Sequence, residues 1–304
     1  MTYAQRMQAY ARRARELARA DSTQALARAA ELIRRADRVI VGGAAGLSAA
    51  GGLDYHSAEV LRRDFPALSA MGYETLWQAL WDPGRTRLQR RAMTAAEALW
   101  ARFDFPVIPA YRDLLSLLEG KDYFVLTSNI DDQFYKAGFD PARIFAPQNS
   151  VADLQCSVPC CRDIWDGEAA YRVIAAHTDP AGFTCREEDL PRCPRCGAPA
   201  VWNMRGRDCF IPDKVMATRG AFEAFWGRAG AGRTVLLELG VGFNSPGLIR
   251  HPFQRAALLW PEAALIRMNR DYPSVPEKIR ARSVELGGDI GENLAALRAI
   301  SRGL

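Results

Sequence analysis

The sequence predicts an α/β protein, a Rossmann-like doubly wound parallel sheet interrupted by a small cysteine-rich module. Three observations lead there. Short β-branched runs alternate with helical stretches, each run ends in glycine or a polar residue, and all seven cysteines fall between Cys156 and Cys209. A chain of 304 residues has room for one large domain and a smaller one. With 49% hydrophobic and 25% charged residues the composition is that of an ordinary folded protein, and no apolar run approaches a membrane span.

Residues 1–38 read as a helical cover. Met7, Tyr10, Ala14 and Leu17 recur at helical spacing, and after Asp21-Ser22, an N-cap signal, Leu26, Ala29, Ala30 and Ile33 form a second stripe. Nine arginines against Glu16, Asp21, Glu31 and Asp37 give this segment a charge of +5, which is the charge of the whole chain. The remainder is neutral. No nucleic-acid partner is expected, because such binders spread basic residues over their reading surface. Arg-rich amphipathic starts also describe organellar leaders, but the acids here and the unbroken run into the first strand favour a cover on the main domain. Nothing reads as a secretory signal, and clustered cysteines in such a chain suit metal better than disulfides, so a cytoplasmic location and no membrane partner are expected.

Residues 39–150 and 213–304 are expected to form the sheet domain. Val39-Ile40-Val41, Tyr123-Phe124-Val125-Leu126, Thr234-Val235-Leu236-Leu237 and Ala264-Leu265-Ile266 read as buried parallel strands, with crossover helices such as 86–101 and 109–119 between them. The first strand runs into Gly42-Gly43-Ala44-Ala45-Gly46-Leu47-Ser48, then Gly51-Gly52-Leu53. Small residues between a strand and a helix let backbone N–H groups approach a pyrophosphate, although they also serve tight strand-to-helix packing. The second strand runs into Thr127-Ser128-Asn129-Ile130-Asp131-Asp132-Gln133, which puts an amide and a carboxylate at the carboxyl end of a strand, where ligands sit. Asn and Asp there also cap helices.

Residues 151–212 break the strand–helix pattern and are assigned to a small zinc-binding module. Cys156-x3-Cys160 and Cys193-x2-Cys196 supply four thiolates at a spacing that suits tetrahedral, structural Zn²⁺. The adjacent Cys160 and Cys161 leave the second ligand open, Cys185, Cys209 or His177 are possible substitutes, and redox-sensing thiols are the competing reading.

Five motifs then stand in one order. They are Gly43-Ala44-Ala45-Gly46-Leu47-Ser48 with Gly52-Leu53, Thr127-Ser128-Asn129-Ile130-Asp131 with Ala137-Gly138, the two cysteine pairs, Gly240-Val241-Gly242 after a strand, and Asn269 after another. In that order, from about residue 37 to 300, the chain resembles the NAD-dependent sirtuins. The resemblance implies a Rossmann-like domain and a zinc module with NAD bound between them. It places the pyrophosphate on Gly43, Ala44, Ala45, Gly46 and Ser48, and the adenosine half against Gly240, Val241, Gly242, Asn269, Asp289 and Ile290. The nicotinamide riboside falls beside Ser128, Asn129 and Asp131, with Asn129 orienting the ribose and Asp131 binding the carboxamide.

Two departures redirect the expected activity. The family's Pro-Asp/Thr-Phe-Arg stretch is replaced by Asp54-Tyr55-His56-Ser57, and its catalytic His-Gly by Gln148-Asn149. An imidazole takes up a proton near neutral pH and a carboxamide does not, and losing a general base costs about 10²–10⁴-fold. Gln148, with Gln155-Cys156-Ser157-Val158-Pro159-Cys160 and Glu238-Leu239-Gly240-Val241-Gly242, is similar to the macrodomain-linked class M sirtuins. That likeness implies an NAD-dependent protein mono-ADP-ribosyltransferase that uses Asn129, Asp131 and Gln148 and releases nicotinamide. Its implied acceptor is a lipoylated glycine-cleavage-H-like carrier, opposed by a macrodomain hydrolase. The alternatives are a lysine deacylase with a substitute base such as His56 or His251, and a non-catalytic NAD- and zinc-binding homologue.

Overall fold

The computed structural model describes residues 2–206 and 208–303. Two helices, α1 (Tyr3–Arg19) and α2 (Thr23–Arg35), lead into nine strands: β1 (Arg38–Gly43), β2 (Asp122–Thr127), β3 (Ile144–Phe145), β4 (Asp153–Cys156), β5 (Ile164–Asp166), β6 (Ala200–Trp202), β7 (Thr234–Leu239), β8 (Ala264–Met268) and β9 (Ser283–Leu286). Six of them form one sheet in the order β3-β2-β1-β7-β8-β9. Every pairing in it is parallel. The strand order reverses between β1 and β7, which makes the sheet doubly wound and puts the ligand crevice outside the carboxyl ends of those two strands. Register sharpens the placement, since Gly43 stands opposite Thr127 on one side and Leu239 on the other. The loops opening with Ala44, Ser128 and Gly240 therefore leave the sheet at one level.

The central strands are buried on both faces, as their unbroken apolar runs require. Val39, Ile40 and Val41 have no exposed surface, and all six residues of β7 are buried. Helix α2 turns Leu26, Ala29, Ala30 and Ile33 inward, as its stripe predicts, and packs on β9 and the C-terminal helix Ile290–Gly303. Its cap differs in detail from expectation. Ser22 makes no capping bond, and Asp21 Oδ1 instead accepts the Thr23 N–H at 2.9 Å.

A second core forms where the chain leaves the sheet. Leu61, Phe65, Leu68, Leu76, Met93, Leu154, Tyr171 and Ile174 bury one another, so short helices from the segment between β1 and β2 share a core with the insertion after β3. The insertion carries an antiparallel sheet in the order β5-β4-β6. The helix expected over 86–101 begins with a Thr86/Gln89 capping box, runs Arg87–Ala98, and widens into a π-helical turn, Leu99–Asp104. Such turns recur at functional sites, and this one delivers Arg102 to Asp132 at 2.6 Å. No helix among the described residues is long and apolar enough to cross a membrane.

Candidate active site

The ends of β1 and β2 bring together a buried polar chain. Ser48, on the short helix α3 (Ala45–Ala49), lies 2.6 Å from the Tyr111 hydroxyl and donates to Asp131 Oδ2 at 2.6 Å. With the Ser48 proton committed to the carboxylate, the Tyr111 O–H donates to Ser48. Asn129 Nδ2 donates to both hydroxyls at 3.1 Å. The Asn129 carboxamide oxygen has no partner among the described residues and is free to accept from a ligand. Ser48, Tyr111 and Asp131 are all less than a tenth exposed. Asp131 Oδ1 accepts the Gln133 N–H at 3.0 Å at the head of a short helix, as its capping reading expected, while Oδ2 accepts from Ser48. Burial pushes its carboxyl up to about 6, against the opposing pull of Ser48 and the Gln133 N–H.

Sequence reasoning missed Tyr111 and Glu97. Tyr111 lies in a leucine stripe and looks like core; only the tertiary fold puts its hydroxyl on Ser48. Glu97 is fully buried among alanines, and burial pushes it up to about 7, with the Tyr55 phenol nearby tempering the rise. Tyr55 belongs to the rebuilt Asp54–Ser57 stretch and packs edge-on against Trp100, 5.2 Å between ring centres.

The residues that follow Gln148 are bonded to the loop after β2. Val151 N–H donates to the Ile130 carbonyl at 3.1 Å, and Ser150 Oγ donates to Asp132 Oδ2 at 2.7 Å. Asn149 adopts a left-handed φ of 65° and is buried, donating to the Asn203 carbonyl at 2.8 Å. Gln148 itself is half-buried. No histidine joins Asn129 and Asp131 among the described residues. His177 pairs with Asp189, exposed His56 packs at a tilt against Trp77, and His251 lies in the first turn of the helix Arg250–Leu259.

Two of the loop glycines answer to each other. A Cβ on Gly46 would meet Gly240 Cα at 2.7 Å, and one on Gly240, whose φ is +66°, would meet the Leu47 nitrogen at 2.3 Å. The Gly46 N–H donates to the Gly240 carbonyl at 3.1 Å and the Ala44 N–H to the Leu239 carbonyl at 3.0 Å. Close packing of the β1 loop on the β7 loop thus takes up part of what the sequence offered as a phosphate cradle. A Cβ on Gly242 meets nothing within 4 Å. Asn269 organises the outer side of the crevice by donating to the Val241 carbonyl at 2.9 Å and accepting from the Asp271 and Tyr272 N–H groups at 3.0 and 2.8 Å.

In the insertion, Cys156, Cys160, Cys193 and Cys196 converge with all four Sγ atoms within 4.8 Å of one another. The Cys156–Cys196 and Cys160–Cys193 separations are each 3.6 Å. Zn–S bonds of about 2.3 Å at tetrahedral angles require sulfurs about 3.8 Å apart, so the four thiols fit a closed zinc site. Geometry settles the choice that spacing left open: Cys160 joins the group and Cys161 does not. Cys185 is occupied elsewhere, against the Leu88 carbonyl at 3.2 Å.

No protein-family model matches the chain. Among solved structures it superposes on a Sir2 homologue in complex with NAD, with a TM-score of 0.58 at 17% identity over 91% of this chain and 94% of that one. A Sir2 homologue variant complexed with ADP-ribose gives 0.57 at 17% identity over 91% and 96%. The chain has the Sir2 fold, as its motif order suggested. Its sequence relatives narrow the likeness within that fold. It is 29% identical over 262 residues to the protein ADP-ribosyltransferase of Staphylococcus aureus, covering 85% of this chain and 82% of that protein. It is 31% identical over 233 residues to a probable bifunctional ADP-ribose hydrolase/ADP-ribosyltransferase of Fusarium oxysporum, covering 75% of this chain but 39% of that longer protein.

Proposed function

We propose that the chain is an NAD-dependent protein mono-ADP-ribosyltransferase that acts on a lipoylated glycine-cleavage-H-like carrier and releases nicotinamide. The observation that carries this reading is the pairing of an intact Asn129–Ser48–Asp131 cluster with a carboxamide, Gln148, on the segment hydrogen-bonded beside it. The cluster suits cleavage of the bond between ribose and nicotinamide, which builds oxocarbenium-like charge that fixed dipoles and a carboxylate stabilise. Asn129 offers its free oxygen to a ribose hydroxyl, and Asp131 takes the nicotinamide amide. The C1′–N bond breaks with its electron pair going to neutral nicotinamide, and an acceptor side chain attacks C1′ and releases its proton to solvent water. Gln148 orients the hydroxyl or the acceptor without itself taking a proton. The names of both sequence relatives agree with transfer rather than deacylation. The hydrolase half of the longer relative's name supports an opposing macrodomain hydrolase as functional partner.

Nicotinamide release measured against pH, with carrier present, tests the absence of a base. The rate is expected to fall as pH drops through about 6, where Asp131 takes up a proton and loses the charge that holds the cluster, and to stay level above pH 7. A rate that keeps climbing above pH 7 and flattens in His56→Gln or His251→Gln would hand the proton transfer to a histidine and overturn the proposal.

A further inference from the structure

Helix α1 touches the loops after β7, β8 and β9, which are expected to receive adenosine. Tyr10, Arg13 and Leu17 lie on one face of it. The Tyr10 ring packs against Phe243 with ring centres 5.3 Å apart and edge-on against Tyr272 at 5.9 Å, and those two rings meet each other at 5.0 Å. Phe243 follows Gly242 directly in the loop after β7, and Tyr272 belongs to the turn that Asn269 organises after β8. Arg13 donates from Nε at 3.0 Å and from Nη2 at 2.8 Å to Glu285 Oε2 on β9. Leu17 lies over Gly287, where an added Cβ would stand 2.9 Å from the Leu17 Cβ. Beneath the rings, buried Arg250 sets its guanidinium 4.7 Å from the Phe243 ring centre and 5.6 Å from that of Tyr10. The same guanidinium donates to the Val241 carbonyl at 2.9 Å and the Tyr272 carbonyl at 3.0 Å.

Elsewhere the described side chains of α1 are little buried. Ala14 is the one side chain on it that is buried among the described residues. An element with so little buried surface opens without disturbing the sheet, and opening would free the Phe243 and Tyr272 loops of their outer restraint.

We infer that α1 is a clamp on the adenosine side of the site, and that Tyr10 is a positioning residue that holds Phe243 and Tyr272 in the arrangement that receives an adenine dinucleotide. The inference rests on the NAD reading above. It makes affinity for the adenine half depend on a helix outside the Rossmann-like core. Ring contacts of this kind and a part-buried ion pair are together worth about tenfold in affinity.

Calorimetric titration of the full-length chain with ADP-ribose tests it, using Tyr10→Ala, Tyr10→Phe and Arg13→Glu. Tyr10→Ala and Arg13→Glu are expected to raise the Kd about tenfold, while Tyr10→Phe, which keeps the ring, stays within about twofold of the parent. Melting temperature is recorded beside each titration. Lower melting temperatures with unchanged Kd would make α1 a structural cover and overturn the clamp. If the parent chain binds no ADP-ribose, the NAD reading fails and takes the clamp with it. If the parent binds and all three variants bind equally, the clamp alone fails.

Discussion

Asn129→Ala is expected to lower nicotinamide release and ADP-ribosyl transfer by about 10²–10³-fold, the usual cost of removing one preorganised polar group from a charge-developing site. Two effects add in one direction. The carboxamide oxygen offered to the ribose is lost, and so are the two donated bonds that hold the Ser48 and Tyr111 hydroxyls. The fold should survive, because the Ser48 bonds to Asp131 and Tyr111 remain and one side-chain hydrogen bond contributes only about 1 kcal/mol net. Steady-state rates with melting temperature as control check it. Loss of rate at unchanged melting temperature supports the assignment; undiminished label transfer would point to chemical glycation of the carrier.

The second large effect falls on the cysteine module. Cys193→Ser removes one of the four converging thiols, and zinc binding contributes on the order of 10 kcal/mol to folding modules of this size. The expected outcome is loss of one equivalent of zinc by elemental analysis and rapid amide exchange through β4, β5 and β6, with the six-stranded sheet still protected. Cys161→Ser, outside the cluster, should retain the metal and the protection. Full zinc content in Cys193→Ser would show that the ion is held elsewhere. The module also reaches the segment that carries Gln148, since the adjacent Asn149 is bonded to Asn203 just past β6.

What was legible in the sequence follows from what each feature depends on. The central strands announce themselves because burial on both faces demands unbroken β-branched runs, and β1, β2, β7 and β8 all lie where such runs were read. The edges do not. β3 is two residues long, and β9, Ser283-Val284-Glu285-Leu286, is four residues long and lacks the unbroken apolar run that marks the central strands. The zinc thiols are legible in their pairing, but only the fold separates Cys160 from Cys161. In the candidate site, Asn129, Asp131 and Ser48 were visible because they follow strands or a glycine turn directly. Tyr111 comes from a helix whose pattern reports only packing, so its place in the polar chain is set by tertiary neighbours. The glycine turn is legible as a turn, while its division of labour is not: Gly46 and Gly240 are small for each other's sake, and Gly242 faces open space.

The central claim, that this Sir2 fold transfers ADP-ribose without a histidine base, is tested most directly by incubating the protein with ADP-ribose-labelled NAD and three acceptors in parallel. These are a glycine-cleavage-H-like carrier bearing lipoyl, the same carrier without it, and an acetyl-lysine peptide. The account predicts label on the lipoylated carrier, one nicotinamide released per label transferred, and an unchanged peptide. Efficient deacetylation of the peptide with no label on either carrier would contradict it.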